Sequence, residues 1–98
     1  MKWFVYTVFD SASASYDRPF VAPSDNAAIR SFSDIAVGDE HPIGKHPEDY
    51  SLYRIGAYYD NKAELEPTDR ECLITAEEAV ANSRKIAKGS LKGVENYG

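Results

Sequence analysis

Pro47 opens an acidic turn, Pro47-Glu48-Asp49, that runs without a break into Tyr50-Ser51-Leu52-Tyr53-Arg54-Ile55-Gly56-Ala57-Tyr58-Tyr59. Proline suits the start of a helical turn because its missing N–H would be unpaired there anyway, and the two carboxylates after it can accept the free N–H groups. The residues that follow alternate with a period of two and are rich in aromatic and branched types, which predicts a strand with two unlike faces. Leu52, Arg54, Gly56 and Tyr58 fall on one face, expected toward solvent; Tyr53, Ile55, Ala57 and Tyr59 fall on the other, expected toward a core. Asp60-Asn61-Lys62 then reads as a turn into Ala63 to Glu66, so a hairpin is expected.

The remaining elements follow from the same kind of patterning. Lys2 to Asp10 alternates Trp3, Val5, Thr7 and Phe9 against Phe4, Tyr6 and Val8, which predicts a central strand covered on at least one side. Arg18 to Ala22 is expected at a sheet edge, because Pro19 lacks the N–H a central strand needs. Ser24 or Asp25 can cap a helix carrying Ala28, Ile29, Phe32, Ile35 and Ala36 and ending at Gly38. Asp39 to Pro47, with Gly44 and two prolines, reads as a loop, and Glu71 to Ile74 as a further short strand. Thr75 and Glu78 form a capping-box pattern ahead of a weakly apolar helix that ends near Gly89. The order predicts an α+β fold in two layers, a largely antiparallel sheet with two helices packed on one face. One domain over residues 1–89 and a flexible tail over 90–98 are expected.

Charge and composition narrow the function classes. The net charge is −5, which argues against a protein that holds nucleic acid by bulk electrostatics alone. From Asn82 onward, however, Arg84, Lys85, Lys88 and Lys92 stand against Glu95 alone, so a basic end follows an acidic body. That end reads either as a nucleic-acid arm or as a solvated helix end whose cations suit the helix dipole. The apolar stretch from Trp3 to Phe9 is far too short to span a bilayer, and no membrane partner is expected. Cys72 is the sole cysteine; an internal disulfide is excluded, a reducing cytoplasm fits, and its setting beside Glu71 in a strand predicts a buried small side chain. His41, His46, Glu48 and Asp49 match no closed zinc pattern, and neither a nucleophile elbow nor a phosphate loop is present. No catalytic residue, metal or cofactor is expected, and a non-enzymatic role follows.

Val5-Tyr6 and Asp10, then Pro19-Phe20, Asp25, Ala28, Arg30 and Phe32, then His46-Pro47-Glu48-Asp49-Tyr50, Leu52-Tyr53 and Ile55-Gly56 form a pattern that resembles the small non-structural protein of gokushoviruses, single-stranded DNA phages of the microvirus family. The likeness covers roughly residues 3 to 60. It implies a protein that acts in the host bacterial cytoplasm during genome replication, turning synthesis toward single strands for packaging. Its implied partners are single-stranded DNA, the replication initiator or the procapsid.

Joined to that likeness, the aromatic and basic residues suggest a single-stranded DNA-binding surface. Trp3, Tyr6, Tyr53 and Tyr58 would stack bases, at roughly 1 to 3 kcal/mol each. Lys2, Arg18, Arg30, Arg54, Arg84, Lys85 and Lys88 would meet phosphate. The rival reading is a protein-interaction module, a homodimer through a strand edge or the aromatic face, that recruits the initiator or procapsid. The same rings would then pack against helices or a second subunit.

Overall fold

The computed structural model of the chain describes residues 1–83. Strand β1 (Lys2–Asp10) pairs antiparallel with β2 (Ser15–Tyr16) and β3 (Phe20–Ala22), one after the other, along a single edge. Its other edge pairs antiparallel with β4 (Tyr50–Tyr59), which in turn pairs with β5 (Glu64–Thr75). The aromatic and branched residues of β1 thus take the central place their composition predicts. Pro19 falls in the break between β2 and β3, at the outer edge, where no ladder N–H is required.

Helix α1 (Asp25–Ala36) starts where Ser24 accepts the Ala27 N–H on its hydroxyl at 3.1 Å. Ala28, Phe32 and Ala36 recur every four residues and form the buried stripe that α1 presents to the sheet. A second helix, α3, covers residues 76–83 and is opened by the capping box: the Glu78 N–H donates to Thr75 Oγ1 at 3.1 Å, and the Thr75 N–H donates to Glu78 Oε1 at 3.3 Å. Ala76 and Ala79 of α3 join Tyr6, Phe32, Leu52 and Ile74 in one core. The fold is the expected α+β arrangement, an antiparallel sheet with helices on one face.

Three expectations need correction. The segment from Asp39 to Pro47 is not wholly a loop: Pro42–Lys45 forms a single helical turn, α2, capped by His41 Nδ1, which accepts the Ile43 N–H at 3.1 Å. Ile43 drops into the core, and the apolar contact explains why four residues around a glycine are helical. Next, the two short strands expected at 63–66 and 71–74 are one continuous β5, because β4 pairs with it on both sides of Pro67. Last, the faces of β4 are misassigned by strict alternation. Ile55 is an extra residue between the pairs Val5↔Gly56 and Tyr6↔Arg54, and this bulge shifts the phase of the strand. Leu52, Arg54, Ala57 and Tyr59 therefore share the helix side, and Tyr53, Gly56 and Tyr58 share the other.

Two backbone positions test this description with opposite signs. A Cβ on Gly44 would lie 1.5 Å from the Gly38 carbonyl oxygen, so the close approach of α2 to the end of α1 requires glycine. Ala63, in the β4–β5 turn, holds φ 50°, a left-handed conformation that glycine adopts without penalty. Gly44→Ala should lower stability by about 3 kcal/mol or more, and Ala63→Gly should raise it by about 0.5 to 1 kcal/mol. Urea denaturation followed by far-UV circular dichroism measures both.

Candidate nucleic-acid interface

Strand register divides the aromatic residues into two groups. On the helix side, Phe4, Tyr6 and Val8 lie opposite Ala57, Arg54 and Leu52. On the far side, Trp3 lies opposite Tyr58, Thr7 opposite Tyr53, and Phe9 opposite Tyr16. Helices α1 and α3 and the turn α2 pack on the first side, so among the described residues the far side is an open sheet face.

That open face carries a ring cluster at one end. The Phe9 and Tyr16 rings are 4.7 Å apart, Tyr16 and Tyr53 5.8 Å, and Phe9 and Tyr53 6.3 Å, the last two edge-on. Arg70 reaches over it from β5, its guanidinium 5.5 Å from the Tyr16 ring centre and its Nη1 donating to the Tyr16 hydroxyl at 2.8 Å. Burial pushes the Tyr53 phenol above its ordinary pKa, with Cys72 and Tyr16 adding to the shift and Arg70 opposing it, so this ring stays neutral. At the other end Trp3 donates its indole N–H to Asp60 Oδ2 at 3.0 Å. Val21 and Leu65, 52% and 69% exposed, border the same face.

Charge is sorted between the two sides. Glu64, Glu66 and Glu71 of β5 lie opposite Tyr59, Ala57 and Arg54, all on the helix side. Leu65, Pro67 and Cys72 lie opposite Tyr58, Gly56 and Tyr53, on the open side. The acidic excess of β5 is therefore directed away from the rings.

Several residues singled out in the sequence do not reach this face. Tyr6 has no exposed surface; it lies under α1 and donates its hydroxyl to Asp25 Oδ1 at 2.8 Å, so it cannot stack on a base. Arg54 is held between the carboxylates of Asp25 and Glu71 on the helix side, and both arms of its guanidinium are occupied. Lys2 lies over the Phe4 and Tyr59 rings on the helix side. Arg30 is exposed on α1, also behind the sheet, while Arg18 is exposed in the link between β2 and β3. Trp3, Tyr53 and Tyr58 do belong to the open face. Arg84, Lys85 and Lys88, with the rest of the basic end and the tail, lie outside the described residues.

Sequence reasoning passed over Phe9, Tyr16 and Arg70 as site residues. The period-two spacing from Trp3 could have indicated Phe9; nothing local indicates that Arg70 meets a ring 54 residues away. Cys72 is exposed rather than buried, since among the described residues the side of β5 on which it lies has no layer above it. His46, Glu48 and Asp49 bring one ligand atom each within 4.8 Å of one another on the 3₁₀ turn Pro47–Asp49. His46 and Glu48 are exposed, and three donors from one such turn do not form a closed four-ligand site.

A family model described as Phage ORF5 protein matches residues 3–79. The chain belongs to the phage ORF5 protein family. The matched span runs from Trp3 into α3, so it includes every residue of the open face and the whole Tyr6–Asp25–Arg54–Glu71 network. No curated protein and no solved structure was found to match. Among the described residues of this ORF5-family protein, no helix is long and apolar enough to cross a membrane.

The network behind the sheet gives a pH-dependent signature. Burial raises the Tyr6 pKa well above the ordinary 10.0, and the hydrogen bond to Asp25 and the charge of Asp25 add to the shift while Arg54 opposes it. The stability this provides is complete below about pH 10 and is lost as pH climbs from there toward the raised folded value. Tyr6→Phe should cost about 1 to 2 kcal/mol at neutral pH. It should also give a shallower loss of stability than the wild-type chain above about pH 10, read from denaturant midpoints across the alkaline range.

Proposed function

We propose that this phage protein is a non-enzymatic accessory of genome replication that binds single-stranded DNA on its open sheet face. The observation that carries the reading is the cluster of Phe9, Tyr16 and Tyr53 with Arg70 across it, on a side of the sheet from which the β5 carboxylates are turned away. Flat neutral rings beside a guanidinium suit unpaired bases and their phosphates, and they do so without regard to base sequence. A duplex keeps its base faces stacked and offers this surface only its backbone, so a preference for single strands follows. The likeness to the small gokushovirus protein and membership of a phage family support a place in the host bacterial cytoplasm, in synthesis of single strands for packaging.

Val21 and Leu65 favour a second reading. They are large apolar side chains left exposed at the border of the same face, and a second copy of the chain could cover them in a homodimer that recruits the replication initiator or the procapsid. Solution mass and iodide quenching of Trp3, each with and without oligonucleotide, separate the two. A dimer whose Trp3 is already shielded without DNA supports the interaction module.

Fluorescence anisotropy with a labelled thymidine oligonucleotide at low salt is the direct test. Binding should be tighter for single strands than for a duplex, with a log-log salt slope of about −0.7 per phosphate contact. Tyr53→Ala should weaken it by about 1 to 3 kcal/mol, roughly 5- to 150-fold. Arg30→Ala, behind the sheet, should leave affinity unchanged. No measurable binding at low salt would rule the reading out.

A further inference from the structure

We propose that the open face holds two separate base-stacking stations, so that its full ligand is a single strand long enough to reach both. This rests on the DNA-binding reading above and specifies its footprint. One station is Trp3 with Tyr58, paired across β1 and β4. The other is the Phe9–Tyr16–Tyr53 cluster.

The ground between them differs in kind. Along β1 the open-face positions separating Trp3 from Phe9 are Val5 and Thr7, and across from Val5 stand Gly56 on β4 and Val21 on β3. None of these carries a ring, and Gly56 has no side chain at all. Thr7 is buried, its hydroxyl donating to the Asp17 carbonyl at 2.7 Å, so a strand crossing here meets only small or aliphatic groups, with stacking partners at the two ends. Six residues of β1 at a rise of about 3.3 Å put the stations about 20 Å apart. At the stacked rise of about 3.4 Å per nucleotide that distance is about six nucleotides, and fewer if the strand is stretched.

The two ends also differ in charge. At the first, Trp3 is fixed by Asp60, whose carboxyl lies below its ordinary pKa, through hydrogen bonds from the terminal amine and from Trp3 itself. At the second, Arg70 uses one donor on the Tyr16 hydroxyl and, among the described residues, pairs with no carboxylate. A guanidinium has five N–H donors, so Arg70 retains capacity for a phosphate. Phosphate contact on this face therefore concentrates at the Arg70 end, and the Trp3 end contributes stacking.

The test is binding of thymidine oligonucleotides of about two to ten nucleotides to the full chain, by anisotropy and by nuclear magnetic resonance of the Trp3 indole N–H and the tyrosine rings. Affinity should step up by about tenfold or more as length passes about five or six nucleotides. Trimers should shift the Tyr16 and Tyr53 signals and leave the Trp3 indole in place, while decamers shift both. Trp3→Ala should bring decamer affinity down to the trimer value and leave trimer binding within about twofold, whereas Trp3→Phe should keep the step. Arg70→Ala should reduce the salt slope by about one contact for both lengths. A smooth rise of affinity with length, or equal losses from trimer and decamer in Trp3→Ala, would overturn the two-station arrangement while leaving DNA binding standing. Absence of binding at every length would remove the parent reading and this one together.

Discussion

One extra residue in β4 decides which side chains this protein shows to its surroundings. Ile55 has no partner on β1, and by occupying a position without a partner it reverses the phase of the strand between Arg54 and Gly56. Without the bulge, pairing Tyr6 with Arg54 would turn Ala57 and Tyr59 to the open side and put Tyr58 under the helices. With it, small Ala57 faces the core while Tyr53 and Tyr58 both emerge on the uncovered face. Bulges recur where a strand must re-aim a side chain, and here the re-aimed residues are rings.

Local structure was legible wherever a side chain acts on its own backbone. The Ser24 cap, the Thr75–Glu78 box, the 3₁₀ turn begun by Pro47 and the edge position of Pro19 all follow from short-range hydrogen bonding or from a missing N–H. Centrality of β1 was legible because every residue from Trp3 to Phe9 is aromatic or β-branched. What escaped sequence reading is what depends on a partner far away. A bulge costs no distinctive residue type, so strict alternation placed Tyr53 in the core and Leu52 at the surface. Arg54 looked free because Asp25 and Glu71, which hold it, are 29 and 17 residues distant. The exposure of Cys72 follows from the absence, among the described residues, of a layer on that side of the sheet, which composition does not record. The helical turn at Pro42–Lys45 depends on Ile43 reaching a core that only the folded chain supplies.

A net charge of −5 and the proposed affinity for phosphate conflict only if charge is spread evenly. Pleating separates the two faces of a sheet, and β5 puts Glu64, Glu66 and Glu71 on one of them. At physiological ionic strength the screening length is about 8 Å. Carboxylates that project behind the sheet are thus attenuated before their field reaches a ligand on the rings, whereas Arg70 acts at contact. Net charge governs long-range approach, and the local arrangement governs what is held. If the proposed reading holds, slow encounter combined with contact-dominated retention is its kinetic consequence, Arg70 being the cation that lies against the aromatic cluster among the described residues.

The two sides of the sheet are nonetheless mechanically linked. Tyr6 and Arg54 on the helix side are next in sequence to Thr7 and Tyr53 on the open side, and Thr7 and Tyr53 are themselves paired. Asp25, at the first turn of α1, accepts from both Tyr6 and Arg54, and Glu71 ties the same guanidinium to β5. Fixing Arg54 in this way fixes the pleat of β4 next to the bulge, and with it the direction in which Tyr53 leaves the backbone. A ring already held in place loses little freedom when a base settles on it, so more of the stacking energy remains as affinity. In the proposed reading Arg54 therefore acts through its neighbour: it would position Tyr53 from behind, and among the described residues the cation in front that would meet phosphate is Arg70.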